Sequence, residues 1–207
     1  MRREQFLGKL KQTIGKETGS VLHSVIISNY NEIDPLPRGY KMREKDPWCA
    51  AYVSSMWWSY MRDRPFPYEC SCTMMVEKCK EMGIWIEDET IRPEPGWLIF
   101  YDWDDSGVGD CLGGPDHVGY IWQVGGDKIT TIEGNRRNAV ASATINVDGK
   151  YIRGYGALIY DDAEVCLAKE FVTKNGIIKG DGTADSWKHN ITREQLAVIL
   201  WRYHNMK

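Results

Sequence analysis

No stretch of this 207-residue chain approaches the ~20 consecutive apolar residues of a bilayer-spanning helix. The opening residues, Met1-Arg2-Arg3-Glu4-Gln5-Phe6, are charged, and no apolar run of signal length follows them. The expectation is synthesis and folding in a cytoplasm, with no membrane partner. Excess charge of one sign is also missing. Lys and Arg number 26 against 29 Asp and Glu, a net charge of -3, so no basic face for nucleic acid is expected. Metal-ligand spacing is sparse. Cys70-Ser71-Cys72 followed by Cys79 does not match the usual zinc spacing, and no paired histidines complete it. The six cysteines are expected to be reduced thiols, as suits a cytoplasmic chain. The segment Asn29-Tyr30-Asn31-Glu32-Ile33-Asp34-Pro35 has few oxygen ligands and no turn glycine, so it is not expected to hold calcium. Asp102, Asp104 and Asp105 read as a solvated acidic loop. No metal and no cofactor is implied.

What the chain does have is aromatic side chains, with 9 Trp and 11 Tyr. Some must fill a core, and exposed ones suit a glycan-containing ligand. Apolar spacing predicts a helix over residues 4–16, with Phe6, Leu7, Leu10 and Ile14 on one side. Asn29 to Asp46 is polar, carries Pro35, Pro37 and Gly39, and reads as a loop. Helices are predicted from Pro47 to about Met61 and from Thr73 to Met82, the latter stopped by Gly83. The period then changes. Residues 97–103, 118–124, 128–133, 139–146 and 154–160 read as strands, separated by turns such as Gly125-Gly126-Asp127 and Asp148-Gly149. Helices followed by consecutive strands predict an α+β fold with an antiparallel sheet. Asp161-Asp162 marks a boundary, giving units 1–162 and 163–207. In the second, Glu164 to Lys174 reads as a helix capped by Asn175-Gly176. Thr192 and Gln195 form a capping box for a last helix that is expected to bury Leu196, Ile199, Leu200 and Tyr203.

The chemistry-bearing stretch is Asp46-Pro47-Trp48-Cys49-Ala50-Ala51-Tyr52-Val53-Ser54. Asp46 is suited to an N-cap and Pro47 to the first helical position. Cys49 then lies in the first turn, where unpaired backbone N–H groups favour a thiolate. A thiolate nucleophile needs a base, and His117 is the candidate. His23, His189 and His204 lack comparable context. Glu133 would orient the far ring nitrogen of His117. Asn135 would either take that orienting role or shape the turn at Gly134. The Cys49 backbone N–H is the natural first oxyanion donor.

Trp48-Cys49-Ala50-Ala51-Tyr52-Val53-Ser54, Pro95-Gly96-Trp97-Leu98-Ile99-Phe100, His117-Val118-Gly119 and Ile132-Glu133-Gly134-Asn135 together resemble the CHAP family of peptidoglycan hydrolases. The resemblance covers roughly the first 160 residues, and Trp97 stands where that family usually has aspartate. It implies a papain-like domain, helices packed on an antiparallel sheet, that cleaves an amide of bacterial peptidoglycan. The enzyme would be an N-acetylmuramoyl-L-alanine amidase or a peptidoglycan endopeptidase, of the endolysin kind, exported through a phage-type membrane pore. The tail, through Asn175-Gly176-Ile177-Ile178, Gly180-Asp181-Gly182-Thr183 and Ile191-Thr192-Arg193-Glu194, resembles a single S-layer homology repeat. That likeness implies binding to wall polysaccharide through Asp181 and Arg193. Because such sites form between repeats, self-association through the tail is expected, with docking on the first unit as the alternative. A non-catalytic wall-binding protein and an intracellular cysteine peptidase or transamidase are the competing functions.

Overall fold

Apolar spacing and end signals shape the first helices. α1 (Arg3–Lys11) buries Phe6, Leu7 and Leu10. It stops short of residue 16 because Thr13 Oγ1 donates back to the Leu10 carbonyl and Gly15 N–H leaves to pair with Val140 O. Ile14, expected on the buried side, is therefore exposed. α2 (Val21–Asn31) is a helix that sequence reasoning does not assign. Its β-branched residues disguise it, but Ser20 caps it by accepting from His23 N–H. His23, Ile26, Ile27 and Tyr30 then form one buried stripe. The computed structural model describes residues 1–88, 90–104, 113–147, 150–160, 171–178 and 192–205. The acidic residue Asp105, the Asp148-Gly149 turn, the Asp161-Asp162 boundary and the Gly180–Thr183 loop with Asp181 lie outside them.

α3 (Cys49–Met61) differs from expectation at its start. Its N-cap is Trp48, which makes no side-chain capping bond. Asp46 is occupied elsewhere: its carboxylate accepts from the backbone N–H and guanidinium of Arg43 and from Tyr40 OH. Cys49 is thus the first helical residue. α4 (Cys72–Glu81) begins one residue earlier than predicted, with Ser71 as cap.

Among the described residues six strands follow: β1 (Trp85–Ile86), β2 (Leu98–Tyr101), β3 (His117–Gly125), β4 (Lys128–Arg136), β5 (Ala139–Asn146) and β6 (Ile152–Gly156). They form one antiparallel sheet in the order β1-β6-β2-β3-β4-β5. The mixed helix and antiparallel-sheet composition is α+β. α3 packs across β3 and β4, where Tyr120 OH donates to Val53 O. Phe6 meets both Trp57 and Tyr120 edge-on, so α1 closes this layer. A second core cluster gathers Ile99, Tyr101, Ile121, Ile129, Ile152 and Tyr155. The start of β5 is paired on its outer edge by the chain after α1, through Val140 N–H to Lys16 O and Thr18 N–H to Asn138 O. Among the described residues no helix is long and apolar enough to cross a membrane.

The chain forms two compact units, one from Arg3 to Ile159 and one from Tyr160 to Lys207. In the second, residues 171–174 are helical and end at Gly176, whose φ of 65° accommodates the reversal. α5 (Arg193–His204) carries the expected capping box between Thr192 and Gln195. Its predicted apolar face is not covered, because Leu196, Leu200 and Tyr203 are exposed and no α5 residue is buried. A unit of this size has little chain with which to build a core.

α3 is tied to the start of α4 by buried polar groups. Ser54 Oγ donates to Glu69 O at 2.7 Å and accepts from Glu69 N–H at 3.1 Å. The fully buried Glu69 carboxylate receives the Arg38 guanidinium through two nitrogens. Ser54→Ala leaves both Glu69 backbone groups without their partner. The expected cost is about 1–3 kcal/mol, read as a fall in Tm by thermal denaturation.

Candidate active site

A helix start and two adjacent interior strands bring the expected trio together. Cys49 opens α3, His117 opens β3, and Glu133 lies in β4. All three are buried, Glu133 completely. His117 Nε2 is 2.9 Å from Glu133 Oε2. Glu133 is ionised and can only accept, so Nε2 carries the hydrogen and donates. The remaining ring nitrogen, Nδ1, is free of Glu133, and His117 and Cys49 influence each other electrostatically: the imidazole lowers the thiol and the thiol raises the imidazole.

Glu133 needs more than histidine to stay charged in the interior. Oε1 accepts from Tyr101 OH at 2.8 Å and from Thr131 Oγ1 at 2.5 Å. Oε2 accepts from Arg136 Nη1 at 2.7 Å as well as from His117. Thr131 and Arg136 flank Glu133 on its own strand, so they arrive with it. Tyr101 comes from β2, opposite His117 in register.

Two motif glycines make room for this arrangement. A Cβ on Gly119 would lie 2.4 Å from Glu133 Cγ, so the Glu133 side chain crosses β3 where only glycine leaves space. A Cβ on Gly134 would lie 2.3 Å from Tyr52 Cβ, so that glycine lets α3 approach β4. Asn135 takes a left-handed φ of 58°, at the place where the β4–β5 register shifts. Glu133 holds Nε2 of His117, and Asn135 lies within β4, one residue before its end, where the register shifts.

The electrostatics follow from these bonds. Cys49 is held well below the usual thiol range, first by a hydrogen bond from Cys72 and then by His117, against the opposing effect of burial. Cys49 Sγ and Cys72 Sγ lie 3.7 Å apart. Burial opposes charge on His117, but its bonds to Cys49 and Glu133 outweigh that and raise it to about 9. Burial likewise opposes charge on Glu133, yet His117, Thr131 and Arg136 hold it down to about 2. A thiolate–imidazolium pair, oriented by a carboxylate, is a nucleophile with a proton donor beside it.

Beside His117 sits an aromatic shelf. Trp103 stacks on Tyr101 with ring centres 4.7 Å apart and planes 12° from parallel. It is 42% exposed and 5.9 Å from the His117 ring, with Tyr151 6.0 Å away and the Arg136 guanidinium over its face. Sequence reasoning did not find Tyr101, Thr131, Arg136, Cys72 or Trp103 as site residues. For Thr131 and Arg136 a signal existed in their spacing from Glu133. Cys72 appeared only as one of a cysteine cluster weighed for zinc.

Arg193 is exposed at the first position of α5, and Asp181 lies outside the described residues. Among the described residues no group of three or more His, Cys, Asp or Glu is arranged to hold a metal ion. No family model, curated protein or solved structure matches the chain.

Two measurements test this site. The depressed Cys49 thiol implies that iodoacetamide labels it, in preference to Cys70 and Cys79, well below pH 9. Cys72→Ala removes the hydrogen bond that lowers the Cys49 thiol most, so the midpoint of the labelling-versus-pH curve moves upward. The second concerns stability against pH. Glu133, depressed from 4.5 to about 2, contributes stability above pH 4.5 that is lost as pH falls toward 2. His117, raised from 6.5 to about 9, contributes stability below pH 6.5 that is lost as pH rises through 9. Glu133→Gln is expected to flatten both limbs in denaturant titrations.

Proposed function

We propose that this chain is a cysteine-dependent peptidoglycan hydrolase with a papain-like first unit of the CHAP type. The observation that supports the chemistry best is the convergence of Cys49, His117 and Glu133, with the thiol at a helix start, the imidazole bonded to the buried carboxylate, and the thiol held low in part by the imidazole. The wall substrate rests on the four motifs that resemble the CHAP family.

In the proposed reaction the Cys49 thiolate attacks the carbonyl carbon of an amide. The helix-start N–H of Cys49 donates to the oxyanion that forms. His117 Nδ1 protonates the departing amine, and a thioester joins the acyl group to Cys49. Neutral His117 then takes a proton from water, which attacks the thioester and returns the thiol. Glu133 holds the ring in one orientation throughout and stabilises its charged form. Trp103 and Tyr151 offer exposed aromatic faces beside His117, suited to the apolar face of a sugar ring. The tail serves, in the same proposal, as an S-layer homology unit that brings Asp181 and Arg193 to wall polysaccharide. The exposed Leu196, Leu200, Trp201 and Tyr203 support its self-association. The protein acts on the wall after release through a membrane pore.

Zymography on purified sacculi, with mass spectrometry of released fragments, tests activity and bond type together. Wild type is expected to release new amino termini, with its pH–rate profile falling on the alkaline side near 9 as His117 loses its proton. Cys49→Ala and His117→Ala abolish release with the fold retained. Glu133→Gln keeps measurable activity, because an orienting group contributes less than a nucleophile. Trp103→Ala raises KM on sacculi more than it lowers kcat. Intact sacculi after prolonged incubation with reduced wild type would overturn the proposal.

A further inference from the structure

Amide hydrolysis needs one thiol, yet two stand together here. Cys49 and Cys72 are free, buried and 3.7 Å apart at sulfur. Each is the first residue of a helix, α3 and α4 respectively. Their juxtaposition is built rather than incidental to one loop. Ser54 of α3 holds both backbone groups of Glu69, and Glu69 in turn accepts from Arg38 and from the Cys70 N–H just before α4. The other described cysteines are engaged elsewhere. Cys70 Sγ meets the Arg38 guanidinium, and Cys79 Sγ lies against Gly156 of β6.

We propose that Cys49 and Cys72 form a reversible disulfide when the protein meets a peroxide, Cys49 being the thiol oxidised and Cys72 the thiol that resolves it. The proposal concerns regulation of the site above and rests on reading Cys49 as its nucleophile. In the first step the Cys49 thiolate attacks one oxygen of hydrogen peroxide. An S–O bond forms, the O–O bond breaks, and the departing hydroxide takes the proton of the His117 imidazolium and leaves as water. Cys49 becomes a sulfenic acid. In the second step Cys72 Sγ attacks Cys49 Sγ. The S–S bond forms, the S–O bond breaks, and the hydroxyl leaves as water with the Cys72 proton. Two thiols and one peroxide become one disulfide and two waters, each sulfur losing one electron and the peroxide gaining two.

The geometry suits both steps. A thiolate beside an imidazolium is the form that reacts with peroxide. Cys72 holds its proton tightly while Cys49 is an anion, because it donates to it. Oxidation removes that anion and with it the main reason for Cys72 to stay protonated. The sulfurs must close from 3.7 Å to about 2.05 Å, a movement of roughly 1.7 Å shared between two side chains. The product occupies the nucleophile, so hydrolysis stops until a thiol reductant restores it.

Peptide mapping of the full chain after hydrogen peroxide, under non-reducing conditions, tests the pairing without any assay of hydrolysis. The expected main product is a peptide pair linked Cys49 to Cys72, lighter by two hydrogens, that dithiothreitol separates. Activity on sacculi is expected to be lost with the same time course and regained in full on reduction. In Cys72→Ser the same exposure gives a Cys49 sulfenic acid that dimedone traps when present and that otherwise passes to sulfinic acid, from which dithiothreitol restores little activity. Cys49 found as sulfinic acid in wild type with no Cys49–Cys72 link, or linked chiefly to another cysteine, would overturn the switch. Should Cys72→Ser not fold, the wild-type map alone decides. A reduced wild type that releases nothing from sacculi refutes the hydrolase proposal, and the map still upholds or rejects the disulfide.

Discussion

A carboxylate with no exposure to solvent governs this fold: Glu133 lies inside the sheet and stays ionised. Burying an isolated carboxylate is costly enough that the group would ordinarily take up a proton. Four donors prevent that here. Tyr101 and Thr131 serve one oxygen, and His117 and Arg136 serve the other. These donors come from β2, β3 and β4, so the register of three strands must be correct before the charge is compensated. The central sheet and the candidate site are therefore the same construction. A slip of one residue in β3 would turn His117 to the other face and leave Glu133 without one of its donors.

The same constraint explains the small residues in the motifs. Gly119 and Gly134 carry no chemistry. One clears a path for the Glu133 side chain, and the other admits Tyr52 and with it α3. Without the second, the helix start would stand away from β4, and Cys49 could not meet His117. Motif glycines here mark close approach, the cost of which would appear as overpacking if a side chain were added.

Cys49 also depends on parts of the chain remote from it. The largest influence holding Cys49 low is Cys72, 23 residues on. Its position is set by the Ser54–Glu69–Arg38 group, a second buried carboxylate satisfied by side chains and backbone. Two buried carboxylates thus organise the two sides of the site. One holds His117, and the other places the thiol that adjoins Cys49.

Local signals made much of this legible. The change of period from helix to strand identified an α+β chain, and β5 falls at its predicted residues. The Thr192–Gln195 capping box is present as read, because capping involves only neighbours. Cys49, His117 and Glu133 stood out by residue type and context, and they do come together. Where tertiary competition enters, the sequence was less informative. Asp46 was drawn from its capping role by Arg43 and Tyr40, and α1 was cut short by pairing with β5. α2 was concealed because its β-branched residues show a helical stripe only once one face is known to be buried. Neither the Tyr101 donor to Glu133 nor the Cys49–Cys72 contact could be read from spacing. Both join residues far apart in the chain, and only the packed sheet and helices decide which distant groups become neighbours.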